Sequence, residues 1–340
     1  MLAAIDLDRL IADTEQEMLG LIERVQDERT RELYEMVRYH MGLDGDAPRG
    51  KRMRPLIGLL AYQSIAGDHA AALPGAAAVE MGHNFSLVHD DIEDRGAERR
   101  HRPALWTVWG TAQAINTGDT LFTLSRMALY RLQEEGFDDA RILRLMRLYD
   151  ETCLALCEGQ FMDIWTSEHD EWMSVDYYFD MIGRKTASLI AGSAEAGAVL
   201  ATDDEDVIGA YRRFGWALGL AFQVNDDLLG IWGDAAATGK ATSDITTRKK
   251  TLPLIYALAE ATGEDQRRLR TILAQDEVEP APAEVDHVLA ILERVGARDY
   301  TRDQARAYRD RALAELGSVG TVEPASMERL ADVVHSVISG

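Results

Sequence analysis

The stretch Ile142-Leu143-Arg144-Leu145-Met146-Arg147-Leu148-Tyr149 places apolar residues three and four positions apart. That interval puts them on one face of an α-helix. The residues that share the face are Ile142, Leu145, Met146 and Tyr149. The same interval recurs near the start of the chain, at Met18, Leu21, Ile22 and Val25. We find no run with the alternation of a β-strand and no Asn-Gly hairpin turn, so the sequence predicts an all-α fold.

Charge and cysteine content exclude several classes of protein. The 340 residues include 58 Asp and Glu against 36 Lys and Arg, a formal net charge of −22. This charge argues against sequence-independent binding of nucleic acid and against anionic membrane surfaces. The longest weakly charged stretch, residues 186–202, contains Glu195 and is too short to span a bilayer, so we expect no membrane insertion. Two cysteines cannot form a disulfide scaffold, which favours a reducing compartment, the cytoplasm.

The length allows one large domain or two smaller ones. Residues 275–284 form a proline- and acid-rich connector before a final helical segment. The roughly 55 residues that follow would make a thin independent core, so we predict one helical domain over residues 1–340.

The strongest local pattern is His89-Asp90-Asp91-Ile92-Glu93-Asp94. On a helix, Asp90 and Asp94 lie one turn apart on the same face. Like charges on one face are unfavourable, so a cation is expected between them. Carboxylate oxygens suit Mg²⁺, which reaches a protein through one or two carboxylates together with substrate phosphates. In so acidic a chain, a solvated acidic face is the alternative interpretation.

A second acidic pair, Asp226-Asp227, lies inside an apolar helical run over residues 222–230. Aspartates among core-like residues are rarely buried without a partner. Two such sets indicate facing carboxylates inside a helical bundle. Basic residues, which suit phosphate oxygens, accompany them at Lys51, Arg52, Arg54, Arg99, Arg100, Lys185, Lys240 and Lys249. Each base alone is typical of a solvated surface, but together with the acids they predict a diphosphate substrate bridged by Mg²⁺.

The order of motifs from about Gly50 to Pro253 resembles that of the all-trans isoprenyl diphosphate synthase (polyprenyl synthetase) family. The matching elements are Gly50-Lys51-Arg52-Met53-Arg54-Pro55, His83, Ser86 to Asp94, Arg99-Arg100, Gly118-Asp119, Gly159-Gln160 with Asp163, Lys185-Thr186, Phe222-Gln223, Asp226-Asp227, Gly239-Lys240, Asp244 and Lys249 with Thr251-Leu252-Pro253. The resemblance implies a bundle of long helices around a central cavity, a homodimer, and a prenyltransferase that extends an allylic diphosphate with isopentenyl diphosphate.

The resemblance also assigns roles to individual residues. It implies Mg²⁺ ligands at Asp90, Asp94 and Asp226, with Asp91 and Asp227 in support. It implies that the allylic diphosphate is held by Arg99, Lys185, Thr186, Gln223, Lys240 and Lys249. It implies an isopentenyl diphosphate pocket of Lys51, Arg54, His83 and Arg100. The residues expected to act most directly in catalysis are Asp90, Asp94, Asp226, Lys185 and Arg99.

The resemblance implies that residues just upstream of Asp90 set the length of the product. Helix geometry places Ser86 and Gly82 beneath Asp90, and both are small, which leaves room for a growing tail. Phe85 points about 140° away from Asp90 on an ideal helix. By resemblance, one aromatic residue at that place goes with geranylgeranyl diphosphate. Core packing of Phe85 is the alternative, and a farnesyl or longer product stays open.

The chain departs from the family pattern at Gly230, where the second motif often has its last aspartate. Asp234 is a candidate replacement. Two other functions stay open. A class I terpene cyclase on the same fold would not need the isopentenyl diphosphate pocket, and Leu229 stands where a cyclase motif has serine. A non-catalytic synthase subunit would have eroded aspartates, whereas Asp90, Asp94 and Asp226 are present.

Overall fold

The protein is described by a computed structural model that covers residues 6–45, 48–169, 172–233, 242–274 and 279–338. The helices are α1 (Leu7–Val25), α2 (Arg31–Met41), α3 (Met53–Ala66), α4 (Leu73–Glu93), α5 (Leu105–Trp109), α6 (Thr111–Tyr130), α7 (Asp139–Glu168), α8 (Val175–Ile182), α9 (Ser188–Ala201), α10 (Glu205–Trp232), α11 (Ser243–Thr246), α12 (Leu252–Glu260), α13 (Gly263–Leu273), α14 (Pro282–Arg294), α15 (Ala297–Gly317) and α16 (Pro324–Ile338). Short 3₁₀ turns occupy Glu28–Thr30, Ala70–Ala72 and Arg131–Gln133, and a π-helical turn, Gly183–Ala187, joins α8 to α9. The all-α prediction is confirmed.

The contacts divide the chain into two compact units. The first comprises Met1–Cys153, Gly192–Arg212 and Val319–Leu330. The second comprises Leu154–Ala191, Arg213–Ser318 and Ala331–Gly340. The single domain over residues 1–340 stays a prediction. No helix in the described ranges is long and apolar enough to cross a membrane.

In the first unit, α4 is the helix around which the others pack. It contacts α1, α3 and α6. Much of its buried surface consists of alanine and glycine, which let neighbouring helix axes approach closely. Pro74 lies in its first turn, where a missing N–H group removes no helical hydrogen bond. The helix ends at Glu93, and Arg95 follows with a φ of 53°. The first acidic set, Asp90, Asp91 and Asp94, therefore lies at the carboxyl end of α4.

In the second unit, α12 contacts α8, α13, α14 and α15. An apolar cluster joins Tyr178 of α8, Val224 of α10 and Leu252 at the start of α12. This cluster packs together α8, α10 and the start of α12. The second acidic set, Asp226 and Asp227, lies on α10, and hydrogen-bond partners of Asp227 lie on the other two elements.

One detail differs from the sequence prediction. A small antiparallel hairpin pairs β1 (Glu98–Arg99) with β2 (Arg102–Pro103). Its turn residues, Arg100 and His101, have φ values of 53° and 59°, a conformation that normally favours Asn or Gly. The hairpin carries none of the usual turn signals, which is why the sequence analysis missed it. Lys51 and Arg52 precede α3, which begins at Met53.

Candidate active site

The carboxyl end of α4 gathers the first acidic set. The Asp94 N–H group donates to the carbonyl oxygen of Asp90 at 2.8 Å, so Asp94 stays one helical turn beyond Asp90, as predicted. The carboxyl end of a helix carries the negative pole of its dipole, where acidic side chains are unfavourable and a cation is stabilised. The donor set and its position therefore fit a hard divalent cation.

Asp91 has a different environment from Asp90 and Asp94. It is only 4% exposed, and both its oxygens accept from Arg99 Nε, at 2.9 and 2.8 Å. Arg99 Nη2 adds a contact of 2.7 Å to Oδ1. A forked guanidinium–carboxylate pair of this kind fixes orientation as well as charge. Asp91 thus orients Arg99. A supporting role of Asp91 at a metal stays a prediction.

The hairpin turn aims Arg100 at the side of α4. Arg100 Nη1 donates to the carbonyl oxygen of His40 at 3.0 Å, and Nη2 donates to Asn84 Oδ1 at 3.1 Å. Asn84 is fully buried and donates in turn to Glu80 Oε1 at 3.0 Å. Glu80 also binds Arg52 at 2.7 Å. This chain of contacts was not predicted from the sequence, although two polar residues four positions apart on an apolar helix, Glu80 and Asn84, were a usable signal.

Three of the four residues predicted for isopentenyl diphosphate share one electrostatic environment. Burial, with Arg54 and Arg100 nearby, holds the pKa of His83 well below its usual value. Burial also lowers the pKa of Arg54 to about 10, although Glu80 opposes the shift. Arg54 Nε has no hydrogen-bond partner among the described residues. A buried guanidinium with an unsatisfied N–H group is stabilised by an anion, so this cluster fits a phosphate group. The fourth residue, Lys51, is exposed.

The predicted length-setting residues lie two turns inside α4. Phe85 is buried and packs edge-on against Phe122 of α6, with ring centroids 5.0 Å apart. The Ser86 hydroxyl donates to the carbonyl oxygen of His83 at 2.9 Å. Phe85 therefore takes part in core packing between α4 and α6, and a role in product length stays a prediction.

In the second unit, the two neighbouring aspartates of α10 also differ. Asp226 is exposed, whereas Asp227 is 1% exposed. Asp227 accepts from the Tyr178 hydroxyl, from the Leu252 N–H group at 2.9 Å and from Gln223 Nε2 at 3.1 Å. Burial raises the pKa of Asp227 to about 6, with these donors and Lys249 opposing the rise. Asp227 thus anchors the start of α12, and its predicted support of a metal is untested.

Lys185 and Thr186 lie in the π-helical turn Gly183–Ala187, a feature often found at functional sites. Lys185 Nζ lies 2.5 Å from Asp163 Oδ2. The Thr186 hydroxyl donates to Gln223 Oε1 at 3.1 Å. A Cβ at Gly159 would collide with the backbone of Lys185, so this glycine lets α7 approach the turn. The structure therefore brings together three residues predicted to hold the allylic diphosphate, and Asp163 joins them.

Carboxylates surround Lys249. Desolvation would lower the pKa of Lys249, but Asp227, Asp244 and Asp226 raise it above its usual value. The ammonium group therefore stays charged beside Asp226. The predicted Lys240 and the candidate replacement Asp234 lie outside the described residues.

Gly230 has a structural reason that the sequence did not indicate. A Cβ on Gly230 would collide with the carboxylate of Asp244, which lies directly against the glycine. Asp244 is buried, and burial raises its pKa, with Lys249 opposing and Asp226 adding to the rise. The second motif lacks an aspartate at Gly230, but the carboxylate of Asp244 lies beside that position. It is supplied by α11 instead of α10.

Across the described ranges, no three His, Cys, Asp or Glu side chains converge as a preformed metal site. Mg²⁺ does not require one, because it is usually bound through one or two carboxylates, with water and substrate phosphates as the other ligands. The carboxylates at the end of α4, and separately the exposed Asp226 on α10, are of the type that this mode of binding uses.

The chain is similar to known proteins along most of its length. The polyprenyl synthetase family model matches residues 30–292. The chain is 36% identical over 313 residues to (2E,6E)-farnesyl diphosphate synthase of Mycobacterium bovis, covering 89% of this chain and 85% of that one. It is 41% identical over 230 residues to geranylgeranyl diphosphate synthase of Mycobacterium tuberculosis, covering 66% of this chain and 64% of that one. The crystal structure of geranylgeranyl pyrophosphate synthetase from Pyrococcus horikoshii superposes with a TM-score of 0.87, at 29% identity and 98% coverage of both chains. The chain therefore belongs to the polyprenyl synthetase family and is a prenyltransferase.

Proposed function

We propose that the protein extends an allylic diphosphate with isopentenyl diphosphate in a Mg²⁺-dependent reaction and that its product is geranylgeranyl diphosphate. The observation that carries the proposal is the cluster of Arg54, His83 and Arg100, because a terpene cyclase has no second diphosphate to hold there. Relatives named for farnesyl and geranylgeranyl products are both similar to this chain, so the geranylgeranyl product rests on the segment before Asp90.

Each group of residues has a distinct task in this reaction. Arg54 and Arg100 hold the isopentenyl diphosphate anion, and His83, kept neutral by its lowered pKa, donates a hydrogen bond without adding charge. The allylic diphosphate is held by Arg99, Lys185, Thr186, Gln223 and Lys249, with Lys240 expected to join them. Asp163 and Asp91 orient Lys185 and Arg99.

The bond changes need no dedicated base. The allylic C–O bond ionises to a cation and inorganic diphosphate, and the Lys and Arg residues stabilise the charge on the leaving group. Mg²⁺, held by Asp90, Asp94 and Asp226, would neutralise more of that charge. The double bond of isopentenyl diphosphate attacks the cation, and the released diphosphate takes the proton that is lost.

The test is incubation with isopentenyl diphosphate and dimethylallyl, geranyl or farnesyl diphosphate in turn, with Mg²⁺ or with EDTA. Products are dephosphorylated and sized by mass spectrometry. We expect a linear geranylgeranyl alcohol that needs Mg²⁺. A hydrocarbon formed from a preformed diphosphate, with no incorporation of isopentenyl diphosphate, would establish the cyclase instead. No product with any substrate would establish the non-catalytic subunit.

A pair of variants in the hairpin sharpens the test. Arg100→Gln removes a member of the basic cluster, so we expect a higher KM for isopentenyl diphosphate and little change in the KM for the allylic substrate. Arg102→Gln is the matched control, because the Arg102 guanidinium stacks on Tyr39, 3.7 Å from the ring centroid, outside that cluster. Equal effects of the two substitutions would contradict the assignment of Arg100. A homodimer in the cytoplasm is part of the same proposal and is tested by the mass of the protein in solution and by its location in cells.

A further inference from the structure

One face of α4 leads from the acidic end into the core of the first unit. Asp90, Ser86 and Gly82 follow one another at intervals of four residues, so they form a single ridge. Gly82 lies eight residues before Asp90, about 12 Å along the helix axis. The two small residues suggest free space beside the ridge, but the structure shows what fills it at Gly82.

The side chain of Tyr149, on α7, lies directly against Gly82. A Cβ on Gly82 would collide with the Tyr149 hydroxyl oxygen and would lie 3.0 Å from the ring atoms Cζ and Cε2. Tyr149 is 5% exposed, so it is a fixed part of the core. The ridge below Asp90 therefore carries only a small side chain at Ser86 and is closed two turns down, at Gly82, by a phenol ring.

Hydrogen bonds hold that ring in place. The Tyr149 hydroxyl donates to Ser125 Oγ at 2.5 Å, and the Ser125 hydroxyl donates to the carbonyl oxygen of Phe122 at 2.6 Å. Phe122 in turn packs against Phe85. Tyr149 is thus connected, through Ser125 and Phe122 of α6, to Phe85.

We propose that Tyr149 is a specificity-determining residue that limits the length of the prenyl product. The proposal rests on the proposed function, because it needs a prenyl tail that grows along the ridge from Asp90. Phe85 flanks the ridge, whereas Tyr149 lies across it at Gly82. A tail that passes Ser86 meets the phenol, so the size of residue 149 sets how many five-carbon units fit.

The experiment compares products of the wild-type protein with those of Tyr149→Phe, Tyr149→Leu and Tyr149→Ala, using mass spectrometry of the dephosphorylated alcohols. We expect the major product of Tyr149→Ala to be at least one five-carbon unit longer than that of the wild type. Tyr149→Leu should give a smaller shift in the same direction. Tyr149→Phe removes the hydroxyl that faces Gly82 and should raise the minor, longer fraction.

The chain offers a matched control in the same unit. Tyr211 is also fully buried, and its hydroxyl forms a hydrogen bond of 2.5 Å with Ser64 Oγ, but it lies on α10 away from the ridge. Tyr211→Phe and Tyr211→Leu remove an equivalent Tyr–Ser bond and should leave the product length unchanged while lowering stability to a similar degree. This comparison separates a change of tail space from general loosening of the core.

The outcomes are distinct. If the Tyr149 variants are folded and active but keep the wild-type product length, the inference is wrong and the proposed function stands. The inference is also wrong if the Tyr211 variants lengthen the product as much. If the wild-type protein never incorporates isopentenyl diphosphate, the proposed function fails first. If Tyr149→Ala does not fold, Tyr149→Leu and Tyr149→Phe decide the question.

Discussion

Replacing Asn84 by leucine tests whether the basic cluster is held in position from within α4. Leucine has a similar size and stays compatible with the buried site, but it offers no acceptor to Arg100. Arg100 then keeps its contact with the carbonyl oxygen of His40 and loses the one with Asn84 Oδ1 at 3.1 Å. Glu80 keeps Arg52 as its partner at 2.7 Å, so the acid is not left alone. The substitution therefore acts mainly on the orientation of Arg100.

The size of the effect follows from the bond that is lost. A hydrogen bond from a charged group contributes about 1.5–3 kcal/mol. At 1.36 kcal/mol for each tenfold change, this corresponds to a rise of about 10- to 150-fold in the KM for isopentenyl diphosphate. The KM for the allylic substrate should change little, because its predicted ligands other than Arg99 are in the second unit.

The assay is steady-state kinetics with each substrate varied at saturating levels of the other. Asn116→Leu is the control, since Asn116 is exposed on α6 and should leave both KM values unchanged. Circular dichroism at the assay temperature establishes that the Asn84 variant is folded. An equal rise in both KM values, or no rise in either, would refute the assignment of Arg100 to isopentenyl diphosphate and the role of Asn84 in holding it.

Three further substitutions have definite expected results. The raised pKa of Asp227, about 6 against 3.8, favours the folded state at low pH, and this contribution is lost as pH rises from about 4 to about 6. Urea unfolding should therefore show Asp227→Asn lacking a pH-dependent step of up to about 3 kcal/mol that the wild type has. Gly230→Ala should destabilise the protein by about 1–3 kcal/mol, because the added methyl group displaces Asp244. In the control Gly20→Ala, the added Cβ meets no atom within 4 Å outside the neighbouring part of its own helix, so no loss of stability is expected. Equal melting temperatures of the two variants would contradict this prediction. Asp163→Asn should raise the KM for the allylic substrate about 5-fold, because a partly exposed ion pair contributes up to about 1 kcal/mol to holding its lysine; an unchanged KM would refute that role.

The sequence predicts the helices well because their apolar spacing is regular and their core is continuous. It predicts Asp90 and Asp94 on one face for the same reason, since an interval of four residues has a fixed meaning on a helix. It misses the hairpin, because Arg100 and His101 adopt positive φ without the residues that usually indicate it. Tertiary contacts from Asn84 and His40 stabilise that conformation of Arg100, and such contacts have no local signature.

Two glycines also show that tertiary contacts cannot be predicted from the local sequence. In the sequence, Gly82 indicates free space and Gly230 indicates a missing ligand. In the structure, each glycine accommodates a side chain from elsewhere in the chain, Tyr149 in the first case and Asp244 in the second. A residue without a side chain records that something approaches closely, but only the fold identifies the neighbour.

The two Asp-Asp pairs lead to a common principle for this protein. Neighbouring residues on a helix point about 100° apart, so Asp90 and Asp91 have different surroundings, and so do Asp226 and Asp227. In each pair the second aspartate is buried and already bound, Asp91 to Arg99 and Asp227 to Tyr178 and the Leu252 N–H group. The first aspartate of each pair is the proposed Mg²⁺ ligand, while the second fixes a neighbouring element that carries a basic residue. Asp91 positions Arg99, and Asp227 anchors the segment that carries Lys249. Under the proposed function, the repeated dipeptide combines a metal-binding task with the placement of a phosphate-binding cation. Substituting the second aspartate should then impair substrate binding more than the response to Mg²⁺.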